Sequence, residues 1–147
     1  AWEELYQNPD YYQWCMVDKA TGEVFGSMSF YDDTAGDPEA TATWRRLGFD
    51  TSQGVWEPGY CIGRAWWGKG YTTEALNAVV DYWFTRTDST WLACCHAVEN
   101  PASGRVMQKA GFVYDHDDIY HKFDGTPVPC HTYLLTRDAW QARKDTL

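Results

Sequence analysis

Long apolar runs are missing from this chain. None reaches the roughly 18 consecutive apolar residues that read as a membrane span. The opening AWEELYQNPD is polar and acidic, so no signal peptide is expected there. Basic residues are scarce: 12 Lys and Arg against 21 Asp and Glu leave a formal charge of −9. So acidic a chain lacks the basic face that nucleic-acid binding requires. Its field suits a cationic partner such as an amine. Cysteine spacings are uninformative in a useful way. Cys15, Cys61, Cys94, Cys95 and Cys130 are odd in number and include no CxxC. This argues against a disulfide framework or zinc site and favours a reducing, cytoplasmic setting. Repeats, linkers and low-complexity segments are also missing.

What is present is a chain of 147 residues, a length expected to form one domain, 1–147, with a core that needs no staples. Aromatic residues reach 17%, with 9 Trp, 10 Tyr and 6 Phe, which points to a large core, an aromatic-lined cleft or both.

Residues 2–7 read as the last turns of a helix stopped at Asn8-Pro9. Tyr12 to Val17 and Glu23 to Tyr31 read as a hairpin around the turn Asp18 to Gly22. Asp32 to Gln53 shows no clear period and is expected to be a long loop with at most one short element. Val55 to Ile62 reads as a strand interrupted by Pro58-Gly59. Leu76, Val79, Val80, Trp83 and Phe84 form one apolar stripe on a helix from Tyr71 to about Arg86. Trp91 to Ala97 is an apolar strand, and Asn100-Pro101 opens a helix that Gly111 ends. Phe112 to Tyr120 and Pro129 to Leu135 flank the turn Asp124-Gly125, and Thr136 caps a terminal helix, Arg137 to Lys144. This order predicts an α/β (α+β) class with a mixed, mostly antiparallel sheet flanked by helices.

The most informative segment is YCIGRAWWGKGYTTEAL, Tyr60 to Leu76. A strand runs through a glycine-bearing turn straight into a helix. A helix start offers unpaired N–H groups and a positive dipole end, and glycines let a ligand approach the backbone. Lys69 adds a cation. Gly63-x-x-x-x-Gly68-Lys69 matches most of a P-loop, but Gly70 stands where Ser or Thr must hold magnesium, and Trp66 and Trp67 would crowd a triphosphate.

With Ile62-Gly63 followed by Trp67-Gly68-Lys69-Gly70-Tyr71-Thr72-Thr73-Glu74-Ala75-Leu76, the chain resembles the GNAT superfamily of N-acetyltransferases. Within it, the chain resembles the branch of ribosomal-protein alanine acetyltransferases. A second family signature, NxxSxxVMxKxGF, is matched by Asn100, Ser103, Val106, Met107, Lys109, Gly111 and Phe112, about thirty residues further on. The resemblance runs from about Tyr12 to Trp140. It implies an acyl-CoA N-acyltransferase fold and transfer of acetyl from acetyl-CoA to a primary amine, with no metal. The alternative is a non-catalytic module that binds acyl-CoA or an aromatic ligand. Family members usually begin with a further strand and helix. The Tyr12 to Val17 strand is therefore expected to bare an edge, covered by a second copy in a homodimer, by a swapped element, by the 32–53 segment or in part by residues 2–6. The superfamily loop Q/R-x-x-G-x-G/A has Ala65 at its first position here, with Arg64 one residue early.

The resemblance implies that pyrophosphate falls to the N–H groups from Trp66 to Thr72, with Arg64, Trp67, Gly68, Lys69, Gly70 and Tyr71 at the site. Asn100 and Lys109 carry the second signature. A backbone N–H near Ile62 would face the thioester oxygen. An amine of pKa ~10.4 needs a base or desolvation. Glu57, two residues before Gly59-Tyr60, and His96, on the next strand, are the candidates. Members of the family often place a Tyr where Met107 stands, to serve the leaving thiolate. Ser103 takes that role here, or else it caps the helix. His96, His116, His121 and His131, with Asp115, Asp117 and Asp118, follow no known metal-ligand pattern.

Overall fold

Every described strand pairing is antiparallel, and the strands fall into two sheets of three, ordered β1-β2-β3 and β4-β6-β5. The structure, a computed structural model, describes residues 2–146, the side chain of residue 2 excepted. Ala1 and Leu147 of the expected single domain, and the Trp2 side chain within the expected edge cover, lie outside the described residues. The chain divides into two units, Ala1–Tyr71 and Thr72–Leu147.

In the first unit, a short helix α1 (Trp2–Leu5) precedes β1 (Tyr12–Val17), β2 (Val24–Asp32), α2 (Pro38–Arg46) and β3 (Trp56–Ile62). The β1–β2 turn closes on Asp18, whose carboxylate accepts the Ala20 N–H at 3.2 Å and the Thr21 hydroxyl at 2.8 Å. Met16, Met28 and Phe30 emerge on one face of this sheet and are buried. Gln13, Ser29, Tyr31 and Glu57 emerge on the other, as period-2 alternation requires.

Two expectations need correction here. Residues 32–53 contain a real helix, α2, rather than a long loop. Asp37 caps it by accepting the Glu39 and Ala40 N–H groups at 3.0 and 2.9 Å, and Pro38 opens it. Its one buried apolar anchor is Trp44, whose indole N–H donates to Asp33 at 2.8 Å. A single anchor leaves no apolar stripe to detect. Nor does Pro58-Gly59 interrupt β3, because Pro58 stays opposite Phe30 and Gly59 opposite Ser29. Antiparallel residues alternate between bonded and unbonded pairs. The bonds from Gly63 to Phe25 and from Asp33 to Val55, both 2.8 Å, place the bonded pairs at odd positions of β3. Pro58 is an even position on an edge strand, where a missing N–H costs no bond to β2.

The second unit is built from α3 (Tyr71–Arg86), which starts at the division, β4 (Trp91–Ala97), α4 (Pro101–Lys109), β5 (Val113–His121), β6 (Pro127–Thr136) and α5 (Arg137–Asp145). The α3 stripe buries Leu76, Val80, Trp83 and Phe84. Arg137 closes the far end of α3: its guanidinium donates to the carbonyls of Phe84, Thr87 and Ser89 and lies over the Phe84 ring. The Phe84 carbonyl is one of the acceptors a helix end leaves unpaired, and those of Thr87 and Ser89 lie in the segment that follows. Asp81 on α3 receives the Trp140 indole and the Lys144 ammonium, which holds α5 along it. No described helix is long and apolar enough to cross a membrane.

Candidate functional site

The junction between β3 and α3 combines three local features. Ile62 is an even position of β3, so its N–H and C=O both turn away from β2. The carbonyl receives the Trp67 indole N–H at 3.1 Å, which ties the exposed Trp67 to the strand end. After Gly63, a single 3-10 turn, Arg64–Trp66, leads to Gly68 at φ +72° and Gly70 at φ +82°. Both lie in the left-handed region that favours glycine, and a Cβ on either would meet nothing within 4 Å. α3 follows at once, with Tyr71 and Thr72 in its first turn.

The N–H groups sort into two sets. Those of Gly63, Trp66 and Trp67 donate to the carbonyls of Phe25, Gly63 and Arg64 at 2.8, 2.9 and 3.2 Å. Trp66 and Trp67 are thus spent inside the turn, and the expected run from Trp66 to Thr72 shortens to Gly68 to Thr72. Among the described residues, the amides of Gly68, Lys69 and Gly70 have no hydrogen-bond acceptor. With the first turn of α3 they form a row of donors at a positive dipole end. These features fit a phosphate-bearing ligand.

Aromatic packing supports the turn from below. Phe25 stacks on Trp66 at 4.4 Å and 14°, and Tyr71 leans on both rings. The Lys69 ammonium lies 5.3 Å from the Trp66 ring, and the Arg64 guanidinium 5.4 Å from Trp67. Phe25 escaped the sequence reading. Its only signal was an aromatic next to Gly26 on β2.

Glu57 is a buried carboxylate, 4% exposed, on the polar face of the first sheet. Tyr31, directly opposite on β2, donates its hydroxyl to Glu57 Oε2 at 2.7 Å.

In the second unit, Asn100 caps α4 and accepts the Ser103 N–H at 3.3 Å. Ser103, half-buried, is therefore the capped residue and not the cap. Met107 is fully buried, and Lys109 ends α4 exposed, its carbonyl receiving Arg143 at 3.0 Å. His96 is enclosed. Its Nδ1 lies 2.7 Å from the Ala97 carbonyl and must donate to it, while Nε2 faces Gly104 of α4 with no partner among the described residues. A Cβ on Gly104 would sit 2.6 Å from that nitrogen. Such enclosure suits packing better than exchange of protons with a substrate.

A polar cluster borders His96 on the same face. His131 stands opposite it on β6, and Asp117 receives His131 Nδ1 at 2.6 Å and the Tyr114 hydroxyl at 3.0 Å. Those bonds, His131 first, hold the Asp117 carboxyl below the usual carboxylate range, and the same bond pushes the Tyr114 phenol up. Among the described residues, no three His, Cys, Asp or Glu side chains gather as a metal site.

Comparison with known proteins gives this geometry a family. The family model described as an acetyltransferase (GNAT) domain matches residues 1–113, running through the division between the two units. An uncharacterized N-acetyltransferase, p20, of Bacillus licheniformis is 33% identical over 93 residues, 60% of this chain and 50% of that protein. The ribosomal-protein-S5-alanine acetyltransferase of Vibrio fischeri superposes with a TM-score of 0.72 at 18% identity, over 95% of this chain and 68% of that one. The aminoglycoside acetyltransferase AAC(6')-Ib in complex with coenzyme A gives 0.72 at 21% identity, over 96% and 75%. At such identities the likeness is one of fold, and it agrees with the expected α/β class. The chain spans about half the length of the curated relatives it matches first. With both signatures present and the model matched over most of its length, the chain belongs to the GNAT acetyltransferase family.

Proposed function

We propose that this chain is the acetyltransferase domain of an acetyl-CoA-dependent N-acetyltransferase acting on a primary amine. The observation that carries the reading is the row of open amides from Gly68 to Thr72, held by two glycines at positive φ. Coenzyme A in the AAC(6')-Ib structure supports the choice of ligand.

The amides of Gly68 to Thr72 would hold the pyrophosphate, with the Lys69 and Arg64 cations beside them. Asn100 and Lys109, from the second signature, are proposed as coenzyme A-binding residues in their own right. Acetyl-CoA supplies the acetyl group as an activated thioester, with free CoA thiol as the second product. The outward Ile62 N–H is suited to donate to the thioester oxygen as charge grows on it. Glu57 would take the proton that the substrate ammonium must lose. Ser103, in the first turn of α4, would donate a hydrogen bond to the departing sulfur. His96 is the alternative base: its Nδ1 donates to the Ala97 carbonyl and its Nε2 faces Gly104 of α4. The formal charge of −9 favours a cationic acceptor. Spermidine and aminoglycosides are such amines in the names of fold neighbours. Self-association belongs to the same proposal, with β1 at a sheet edge. Light scattering at micromolar concentration tests it, and a monomer there overturns it.

The decisive experiment follows CoA thiol release from acetyl-CoA with spermidine, kanamycin and a peptide with an N-terminal alanine. Steady release with any of them supports the proposal. Tight CoA binding with no release identifies a non-catalytic acyl-CoA binder. Ser103→Ala should lower turnover by ~10²-fold and leave CoA affinity nearly intact. A loss confined to ~1 kcal/mol of stability or less would instead make Ser103 a structural residue of α4.

A further inference from the structure

Tyr31 and Glu57 face each other across the β2–β3 ladder, 26 residues apart in sequence. Directly opposed residues of an antiparallel pair project to the same side of the sheet. The Tyr31 hydroxyl reaches Glu57 Oε2 at 2.7 Å, a short bond from a phenol to a buried carboxylate. The tyrosine itself is 44% exposed, whereas the carboxylate it bonds is 4% exposed.

Gly59 completes the arrangement. It lies two residues beyond Glu57 on the same face of β3. A Cβ there would be 3.3 Å from Tyr31 Cε1 and 3.0 Å from the Ser29 hydroxyl. The missing side chain is thus the slot over which the Tyr31 ring lies. Glycine serves here for room and not for a special φ, since its φ is not in the left-handed region.

We propose that Tyr31, seated over Gly59, is a positioning residue that fixes the Glu57 carboxylate for proton transfer. This rests on the reading of Glu57 as the base. A flexible Glu has three side-chain torsions, and a base must sit within hydrogen-bond reach of the proton it takes. One bond at Oε2 ties down the far end of that chain.

The test compares Tyr31→Phe, Gly59→Ala, Glu57→Gln and the double variant Tyr31→Phe/Glu57→Gln, each with acetyl-CoA and the best acceptor of the panel above. Tyr31→Phe keeps the ring and removes only the hydroxyl. It should lower kcat by about tenfold or more, with CoA affinity unchanged. Gly59→Ala should follow it in direction. In the Glu57→Gln background the Tyr31→Phe change should add nothing, because the hydroxyl acts through the carboxylate. A second readout needs no substrate: side-chain 13C couplings of Glu57 should report one rotamer in the parent and averaging in Tyr31→Phe. If kcat and couplings stay unchanged in Tyr31→Phe while Glu57→Gln is inactive, the positioning role is overturned and the base stands. An active Glu57→Gln overturns both.

Discussion

The two strand-to-helix junctions of this chain are built for opposite ends. Between β3 and α3, no side chain caps the helix, and the donors from Gly68 to Gly70 have no acceptor among the described residues. Between β4 and α4, Asn100 takes the Ser103 N–H and Pro101 has no N–H to satisfy. The first junction leaves its donors open, and the second is closed upon itself. Glycine marks both, for different reasons. Gly68 and Gly70 supply a backbone conformation with empty space where a Cβ would go. Gly104 supplies space for the His96 ring beneath an ordinary helix. The lesson is that one residue type opens one junction and lets the other close.

The sharpest way to break this contrast is Gly70→Val. Coenzyme A affinity should fall by ~100-fold or more, measured by calorimetry. A β-branched residue at φ +82° carries strain of about 1–2 kcal/mol and shadows the neighbouring N–H groups. The fold should survive that cost. Unchanged affinity would show that these amides do not hold the ligand.

Gly104→Val should do the reverse. Its Cβ would overlap His96, so stability should fall by roughly 1–3 kcal/mol in denaturant titration. CoA affinity per folded molecule should persist. Adding His96→Ala should recover part of the loss, because the two sites share one volume. Strictly additive losses would deny that the ring and the helix meet there.

The smallest expected effect sits beyond α4, in the β5–β6 pair. Asp117 has its carboxyl lowered below 3.8, first by His131 and then by Tyr114. A depressed carboxylate pKa contributes stability above the unfolded value and loses it as pH falls through the folded value. The difference in melting temperature between the parent and Asp117→Asn should therefore be constant above pH ~5 and shrink below it. A difference that grows on acidification would reverse the assigned sign.

Much of the fold was legible in the chain because it rests on local signals. The α3 stripe, the Asn100-Pro101 start of α4 and the Asp124-Gly125 turn each depend on neighbours within a few positions. The Asp37-Pro38 cap of α2 was legible in the same way and passed over, since a helix with a single buried anchor, Trp44, shows no period. The β3 strand was misjudged at Pro58 for a different reason. Whether a proline breaks a ladder depends on its parity in the register and on which edge it faces, and neither is encoded nearby.

By itself, then, the sequence determined the strands and the helices other than α2, and where glycine would permit a positive φ before α3. Pairing decided the rest. Antiparallel register turned the Ile62 N–H outward and brought the Tyr31 hydroxyl to Glu57. Helix packing set Gly104 against the His96 ring. These are distances between residues far apart in the chain, fixed by ladders and packing that local propensity does not specify.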